Sequence, residues 1–550
     1  MKITIAQLNY HVGNFSANTG KSVKVIREAA AEGSDLVVFP ELSVSGYPPA
    51  DLLERRDFIE ECENALEKIK SECIGIAAIV GVPTLNRTSS GKRLFNSACF
   101  IENGEVKQVI NKTLLPTYDV FDEYRYFEPS NAFSLINYRG KKLAVTICED
   151  LWDEQGFDNS FAPRRLYTRS PMEELARLNP DMIINISASP FSARRTEMKK
   201  RVFTAKAKRY NLPVFMANQT GANTELIFDG GSMAISPDGR IYDHLGFFRE
   251  DVRSFDSDSV IKGHREEPVY GGEYIEMVYR ALHTGVRDFF LKSGLSTAIT
   301  GLSGGIDSAV VTAIAAEALG NSNVRSLLLP SMWSSEHSLT DAAELADNLG
   351  IKYDVVSITD SYNAVTKSLK PLFDDRPEDV TEENIQARIR AVMLMAASNK
   401  FGHILLNTSN KSESAVGYGT LYGDMAGGLS VIGDLYKTDV YALARYINRN
   451  GIIIPERTIN KPPSAELRPG QLDSDSLPEY EILDSVIYQY VELQIPEEDI
   501  NGEGITPDIV SKVIKLINAS EHKRFQSAPV LRISSKSFGP GRRIPLVAMR

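Results

Sequence analysis

Apolar residues in the first half of the chain fall in short runs whose period changes. Residues 3–8, 36–39, 143–147, 182–186 and 214–217 are apolar, largely β-branched stretches of strand length, whereas residues 18–32 are helix-like and Gly33 stops them. The second half repeats the alternation with different spacing: strands over 297–301, 324–329 and 353–358, helices over 306–319 and 339–349, and a long helix near 382–400. Alternating strand and helix patterns imply sheets covered by helices. The expected class is therefore α/β, with the second half an open, doubly wound parallel sheet.

A chain of 550 residues exceeds what one hydrophobic core organises. Residues 255–274 are charged, Gly-bearing and weakly periodic, which places a join near 265 and two domains over 1–265 and 266–550. Residues 461–478 carry several Pro and acidic residues, and this length of irregular chain predicts a mobile active-site loop. The composition, 43% apolar and 24% charged, is ordinary, and the net charge of −11 comes from scattered Asp and Glu without any long basic run. No nucleic-acid partner is expected, and anionic ligands must be held by local sites. No stretch approaches a membrane span, and the strand-like start lacks a signal-peptide layout, so a cytoplasmic protein with no membrane partner is expected. Cys62, Cys73, Cys99 and Cys148 show neither CxxC nor Cys/His ligand spacing, which argues against a disulfide framework or a zinc site.

Three apolar runs each end on a reactive residue: Glu41 after 36–40, Lys112 after 106–111 and Cys148 after 143–147. Sites in parallel α/β folds form at the carboxyl ends of strands. A thiol nucleophile needs a base for its proton and a cation or dipole for the oxyanion, which Glu and Lys can supply. Taken alone, a cysteine after an apolar strand is more often a small buried hydrophobe. The surrounding strings change that reading. Phe39-Pro-Glu-Leu-Ser-Val-Ser-Gly-Tyr-Pro, Asn111-Lys-Thr-Leu-Leu-Pro-Thr-Tyr and Ile147-Cys-Glu-Asp-Leu-Trp resemble, in order, the three signature segments of the nitrilase superfamily.

That resemblance covers about residues 1 to 250 and implies an α-β-β-α sandwich. It implies Cys148 as nucleophile, Glu41 as general base and Lys112 as stabiliser of the tetrahedral intermediate, with Glu123 as a fourth polar residue lining the pocket. The longer string from Lys112 to Phe127 resembles the branch fused to NAD synthetases, where the amide is glutamine. By it Tyr118, Ser189 and Arg195 grip the amino-acid end of glutamine, the guanidinium of Arg195 matching a carboxylate.

In the second half, the strand over 297–301 runs into Leu302-Ser-Gly-Gly-Ile-Asp-Ser-Ala and then a helix. Glycines admit phosphate oxygens close to backbone amides, and the helix N-terminus adds its dipole. The loop lacks the Lys-Ser/Thr pair of a Walker A motif and is not GxGxxG. Ser-Gly-Gly-x-Asp-Ser resembles the ATP pyrophosphatase signature, which implies ATP bound by Gly301, Leu302, Ser303, Gly304, Gly305, Ile306, Asp307 and Ser308.

From about residue 270 onward, further strings resemble successive NAD synthetase motifs: Asn384-Ile-Gln-Ala-Arg, Asn407-Thr-Ser-Asn-Lys-Ser-Glu, Leu435-Tyr-Lys-Thr-Asp and Glu521-His-Lys-Arg-Phe. By that resemblance Thr408 contacts ATP, Asn384, Glu413 and Lys523 contact deamido-NAD, Lys437 faces phosphate, and Asp307 and Glu413 bind Mg²⁺. The combined pattern resembles the glutamine-dependent NAD synthetases. It implies an ATP-dependent carbon–nitrogen ligase with glutamine, ATP and deamido-NAD as substrates and a homo-oligomer of at least two chains. The rival readings are another ATP-pyrophosphatase amidotransferase and a nucleotide-binding scaffold without catalysis.

Overall fold

The computed structural model describes residues 1–154, 156–157, 164–193, 195–263, 267–374 and 376–548. They fall into two units, Met1–Gly272 and Glu273–Arg550. The join expected near 265 lies outside the described residues.

The first unit holds two six-stranded sheets. One runs Asp251–Asp256, Lys2–Gln7, Leu36–Val38, Ala77–Leu85, Leu94–Glu102, Glu105–Asn111; the other runs Ile241–His244, Met233–Ile235, Val214–Asn218, Met182–Ser187, Lys141–Ile147, Ile136–Tyr138. Ile3, Ile5, Leu36 and Val38 from one face meet Leu143, Val145, Ile184 and Ile186 from the other in one buried cluster. The opposite face of the first sheet, through Val37, Phe39, Ala78 and Val80, packs on helices Phe15–Ala31 and Arg56–Glu72. Helices Pro171–Ala176 and Arg195–Tyr210 cover the second sheet. The layers are helix, sheet, sheet, helix. Strands with apolar residues on both faces follow from this sandwiching, because neither face meets water.

Two expectations need correction. Residues 255–262 are not an irregular boundary: strand Asp251–Asp256 pairs antiparallel with Lys2–Gln7, and helix Ser257–Lys262 follows. A weakly periodic, charged strand is stable there because its partner supplies the ladder. The run before Lys112 is also not parallel. Glu105–Asn111 is an antiparallel edge strand paired with Leu94–Glu102.

In the second unit a parallel sheet has the order Lys352–Val355, Val324–Leu328, Ala298–Gly301, Ile404–Asn407, Leu429–Ser430. The chain winds outward in one direction from Ala298–Gly301 and then returns to its other side at Ile404–Asn407, which makes the carboxyl ends of these two strands the switch point where such sheets bind ligands. Helix Ile306–Leu319 starts directly at that point. Residues 461–478 are irregular as expected, apart from the turn Asp473–Asp475, and are tied down by Ser464 Oγ donating to the Gln471 carbonyl and Gln386 Nε2 to the Leu467 carbonyl.

Candidate functional site

In the first unit Glu41 lies just beyond strand Leu36–Val38, on a backbone pressed against Gly81 of the neighbouring strand. A Cβ on Gly81 would sit 2.4 Å from the Pro40 carbonyl oxygen and from the Leu42 nitrogen, so only glycine lets the segment carrying Glu41 lie this close. Lys112 leaves the edge strand with its N–H donating to the Asn96 carbonyl at 2.8 Å. Both side chains are fully buried.

Lys112 Nζ donates to Glu41 Oε1 at 2.7 Å and to both oxygens of Glu123 at 2.8 Å. Asn96 Nδ2 donates to Glu41 Oε1 at 2.7 Å, the Ala188 N–H to Glu41 Oε2 at 3.0 Å, and the Tyr47 hydroxyl to Glu123 Oε1 at 3.0 Å. Burial opposes the charge on Lys112, but Glu123 and Glu41 outweigh it and hold the ammonium well above the ordinary lysine pKa. Burial pushes the Glu123 carboxyl up to about 7 against the pull of Lys112. Removing one partner of such a buried cluster costs about 3–5 kcal/mol, because an uncompensated charge stays behind.

Cys148 opens the turn Cys148–Leu151 at the end of strand Lys141–Ile147, and its φ of 43° is a left-handed conformation that a non-glycine residue adopts at a cost. That bend turns a half-buried thiol out of the strand direction. Burial first, then Glu41, raises its pKa well above the usual thiol value, with Lys112 opposing. The thiol is therefore protonated at neutral pH, and its proton must leave as it attacks.

Asp150 ties this elbow to the Lys112 segment: it accepts from the backbone N–H groups of Thr113, Leu114 and Ile147 at 3.0, 2.9 and 3.1 Å. Burial raises its pKa to about 7. The folded state thus retains the Asp150 proton over a pH range where the unfolded chain, near 3.8, has lost it. Stability contributed here falls as pH rises from about 4 and levels off above about 7. Asp150→Ala should flatten that slope and lower stability overall by about 1–3 kcal/mol per orphaned N–H, read by urea unfolding of the first unit from pH 5 to 8.

Tyr118 and Arg195 meet at a residue not singled out from sequence. The hydroxyls of Tyr118 and Tyr167 each donate to Glu149 Oε1 at 2.9 Å. Arg195 is close enough to pull down the pKa of both Glu149 and Tyr118, although burial raises each. Ser189 is nearby in sequence to Ala188, and its N–H donates to Asn218 Oδ1 at 2.9 Å. The only sequence signal for Glu149 was its place beside Cys148.

In the second unit a cavity of about 300 Å³ opens at the switch point. Gly301, Leu302, Ser303, Gly304, Gly305, Ile306, Asp307, Ser308, Thr408 and Glu413 all line it. Ser303 Oγ accepts from the Gly305 N–H at 3.2 Å and lies 3.2 Å from Ser308 Oγ, which closes the loop on itself. Lys437 Nζ donates to Asp307 Oδ2 and stands 3.7 Å from Glu413 Oε1, while Asn410 Nδ2 donates to Asp307 Oδ1 at 2.9 Å. Burial, with Asp307 adding to it, raises the Glu413 pKa to about 8.

Asn384 and Lys523 do not line this cavity; both hold the adjoining loop. Asn384 Oδ1 accepts from Thr420 Oγ1 at 2.7 Å, and Lys523 Nζ donates to the Gly417 and Gly419 carbonyls at 2.8 and 2.7 Å. Tyr418, Gly423 and Asp424 of that loop reach the cavity. Arg390, Lys461 and Glu466 also line it, although none of the three had been assigned a site role from the sequence.

A buried Glu–Lys pair near a strained cysteine in a double-sheet sandwich, followed by a phosphate-type loop at the switch point of a parallel sheet, defines a two-unit α/β enzyme of amide chemistry and nucleotide binding. Family models agree unit by unit: carbon-nitrogen hydrolase matches residues 2–263 and NAD synthase residues 278–527. The chain is 44% identical to the glutamine-dependent NAD(+) synthetase of Synechocystis sp. and 40% identical to that of Acinetobacter baylyi, in each case over 99% of this chain and 98% of the relative. The solved glutamine-dependent NAD+ synthetase of Acinetobacter baumannii, in complex with adenosine diphosphate, is similar with a TM-score of 0.77 and 37% identity, over 99% of this chain and 98% of that one. The chain belongs to the glutamine-dependent NAD(+) synthetase family. The expected fold class, a nitrilase-like sandwich followed by a doubly wound parallel sheet, holds for both units. Among the described residues no helix is long and apolar enough to cross a membrane.

Proposed function

We propose that this chain makes NAD from deamido-NAD, ATP and glutamine in the cytoplasm, with residues 1–265 as the glutaminase and 266–550 as the amidating domain. The observation that carries the reading is the presence in one chain of the Glu41–Lys112 pair beside Cys148 and of the Asp307–Lys437–Glu413 cluster on a phosphate-type loop.

In the first reaction Cys148 Sγ bonds to the amide carbon of glutamine while Glu41 takes the thiol proton, and Lys112 offsets the charge developing on the amide oxygen. The C–N bond breaks, Glu41 passes the proton to the leaving nitrogen, and ammonia departs. Glu41 then deprotonates a water that cleaves the thioester to glutamate. Arg195 binds the substrate carboxylate, Tyr118 and Ser189 orient it, and Glu149 faces the ammonium group. A buried carboxylate held by two phenols suits that charge, which selects an amino acid over a simple amide.

In the second reaction a carboxylate oxygen of deamido-NAD attacks the α-phosphorus of ATP and pyrophosphate leaves. Ammonia then attacks the acyl carbon and AMP departs, giving the carboxamide. The loop from Gly301 to Ser308 and Thr408 bind ATP; Lys437 offsets charge on the departing phosphates. Asn384, Glu413 and Lys523 serve the deamido-NAD side, the first and last by shaping the 417–424 loop.

Asp307 and Glu413 fit Mg²⁺: they are two hard oxygen donors lining the same cavity and sharing one ammonium. Mg²⁺ takes one or two carboxylates and completes its shell with phosphates and water. When bound, Mg²⁺ would neutralise charge on the transferring phosphates. We propose assembly into at least a dimer.

The test supplies ATP, Mg²⁺ and deamido-NAD with, in parallel, ammonium or glutamine labelled with ¹⁵N at the side-chain amide. Label in the NAD carboxamide is the expected result. NAD formed only from ammonium would confine the reading to the second unit, and no NAD from either source would overturn it.

A further inference from the structure

Glu413 and Lys437 stand on two separate helices, Lys411–Val416 and Lys437–Ile447. The first is only six residues long, too short to hold its own geometry in water. Its capping box, with the Asn410 N–H donating to Glu413 Oε2 at 3.1 Å, orients the side chain within the helix, and the buried side chain of Asp484 is placed to fix where the helix itself sits.

Asp484 comes from helix Tyr480–Ile487 and approaches both helices at once. Its Oδ1 accepts from Ser412 Oγ, the residue before Glu413. Its Oδ2 accepts from the Thr438 N–H at 3.0 Å and Thr438 Oγ1 at 2.9 Å, the residue after Lys437. The square closes through the Lys437 N–H, which donates to Ser412 Oγ at 2.9 Å. One carboxylate thus satisfies N-terminal donors of the longer helix, where negative charge is favoured, and clamps the short helix to it. Asp484 itself does not line the cavity.

Its neighbour in the short helix, Lys411, is anchored independently. The buried ammonium pairs with Asp434 at 3.0 Å and Glu492 at 2.8 Å, so the helix is held on a second side as well. Across this clamp the Glu413 carboxylate and the Lys437 ammonium stand 3.7 Å apart.

We infer that Asp484 is a positioning residue of the amidating step, holding the Glu413 helix against the Lys437 helix so that both side chains face the same cavity. The inference rests on the synthetase reading of this cavity. Misplacement of a charged group by about 1 Å costs a reaction of this kind on the order of 10²-fold.

The experiment uses the full chain with ATP, Mg²⁺, deamido-NAD and ammonium, comparing wild type, Asp484→Ala and Asp484→Asn. Wild-type NAD formation comes first; its absence would sink the synthetase reading itself and leave the clamp without a reaction to serve. With wild type active, the expected result is a fall in kcat of roughly 10- to 100-fold in Asp484→Ala, with KM for ATP changed far less. Asp484→Asn, which keeps an acceptor for the Thr438 N–H, should recover a substantial part of that loss. Glutamine hydrolysis measured without ATP should stay at the wild-type rate in both variants. An Asp484→Ala kcat at the wild-type level overturns the inference. So does a loss of activity that merely follows the unfolded fraction, seen as a lowered Tm with full kcat restored on cooling, or one carried entirely by KM.

Discussion

Cys148→Ala should abolish NAD formation from glutamine and leave formation from ammonium within about twofold of wild type, because only the first half-reaction needs the thioester. The loss should reach the detection limit, since the residual rate of removing a nucleophile lies orders of magnitude below wild type. The change is small in volume and touches no member of the Glu41–Lys112–Glu123 cluster by hydrogen bond, so the unit should stay folded. Rates with each nitrogen source, measured on the same preparation, decide the matter. Equal losses with both would mean that the cysteine supports the whole chain's structure, and no loss with glutamine would remove Cys148 from the mechanism.

The second large effect is expected at Gly304. Its φ of +83° is a conformation that costs an L-residue about 1–2 kcal/mol. The steric cost is greater: a Cβ there would stand 2.3 Å from the Ser338 carbonyl oxygen and 2.8 Å from the Ser338 Cα, both backbone atoms of helix Glu336–Leu349. No side-chain rotation relieves that contact, so the loop must move away from the helix and take its amides with it. Gly304→Val should therefore cut NAD formation by about 10²-fold or more with either glutamine or ammonium, while basal glutamine hydrolysis persists. Gly301→Ala is the comparison, because its Cβ would meet only the flexible end of Leu394 at 3.1 Å and should lose far less. If Gly304→Val forms NAD at the wild-type rate, the loop does not cradle phosphate. The two variants together separate the sites: one changes the nitrogen source, the other the acceptor chemistry.

Both residues sit on elements that are continuous in the chain, although the clash expected at Gly304 comes from Ser338 on a separate helix. The phosphate-type loop is a strand, a glycine-bearing turn and a helix start within residues 298–319, and local backbone geometry determines all three. Cys148 is similar, since the strand ending at Ile147 and the turn beginning at Cys148 are both short-range features. Alternation of apolar strand and helix was likewise enough to indicate α/β units, because burial of both sheet faces imposes continuous apolar runs.

What depended on tertiary structure is whatever links residues far apart in sequence. Strand Asp251–Asp256 reads as boundary material until Lys2–Gln7 is placed beside it, because a charged strand draws its stability from the partner's ladder rather than from its own pattern. The Lys112 ammonium could be expected near Glu41, yet its two hydrogen bonds to Glu123, the three backbone hydrogen bonds of Asp150 and the two phenols on Glu149 follow from packing alone. The same holds for Lys437 on Asp307, 130 positions away, and for Asp484 between Ser412 and Thr438. Sequence by itself determined the fold class, the family and the nucleophile and phosphate-loop candidates, since those are written in local strings. Only the folded chain decided the partners that orient and charge them, because a buried polar group takes whatever donor or acceptor the packing brings within about 3 Å.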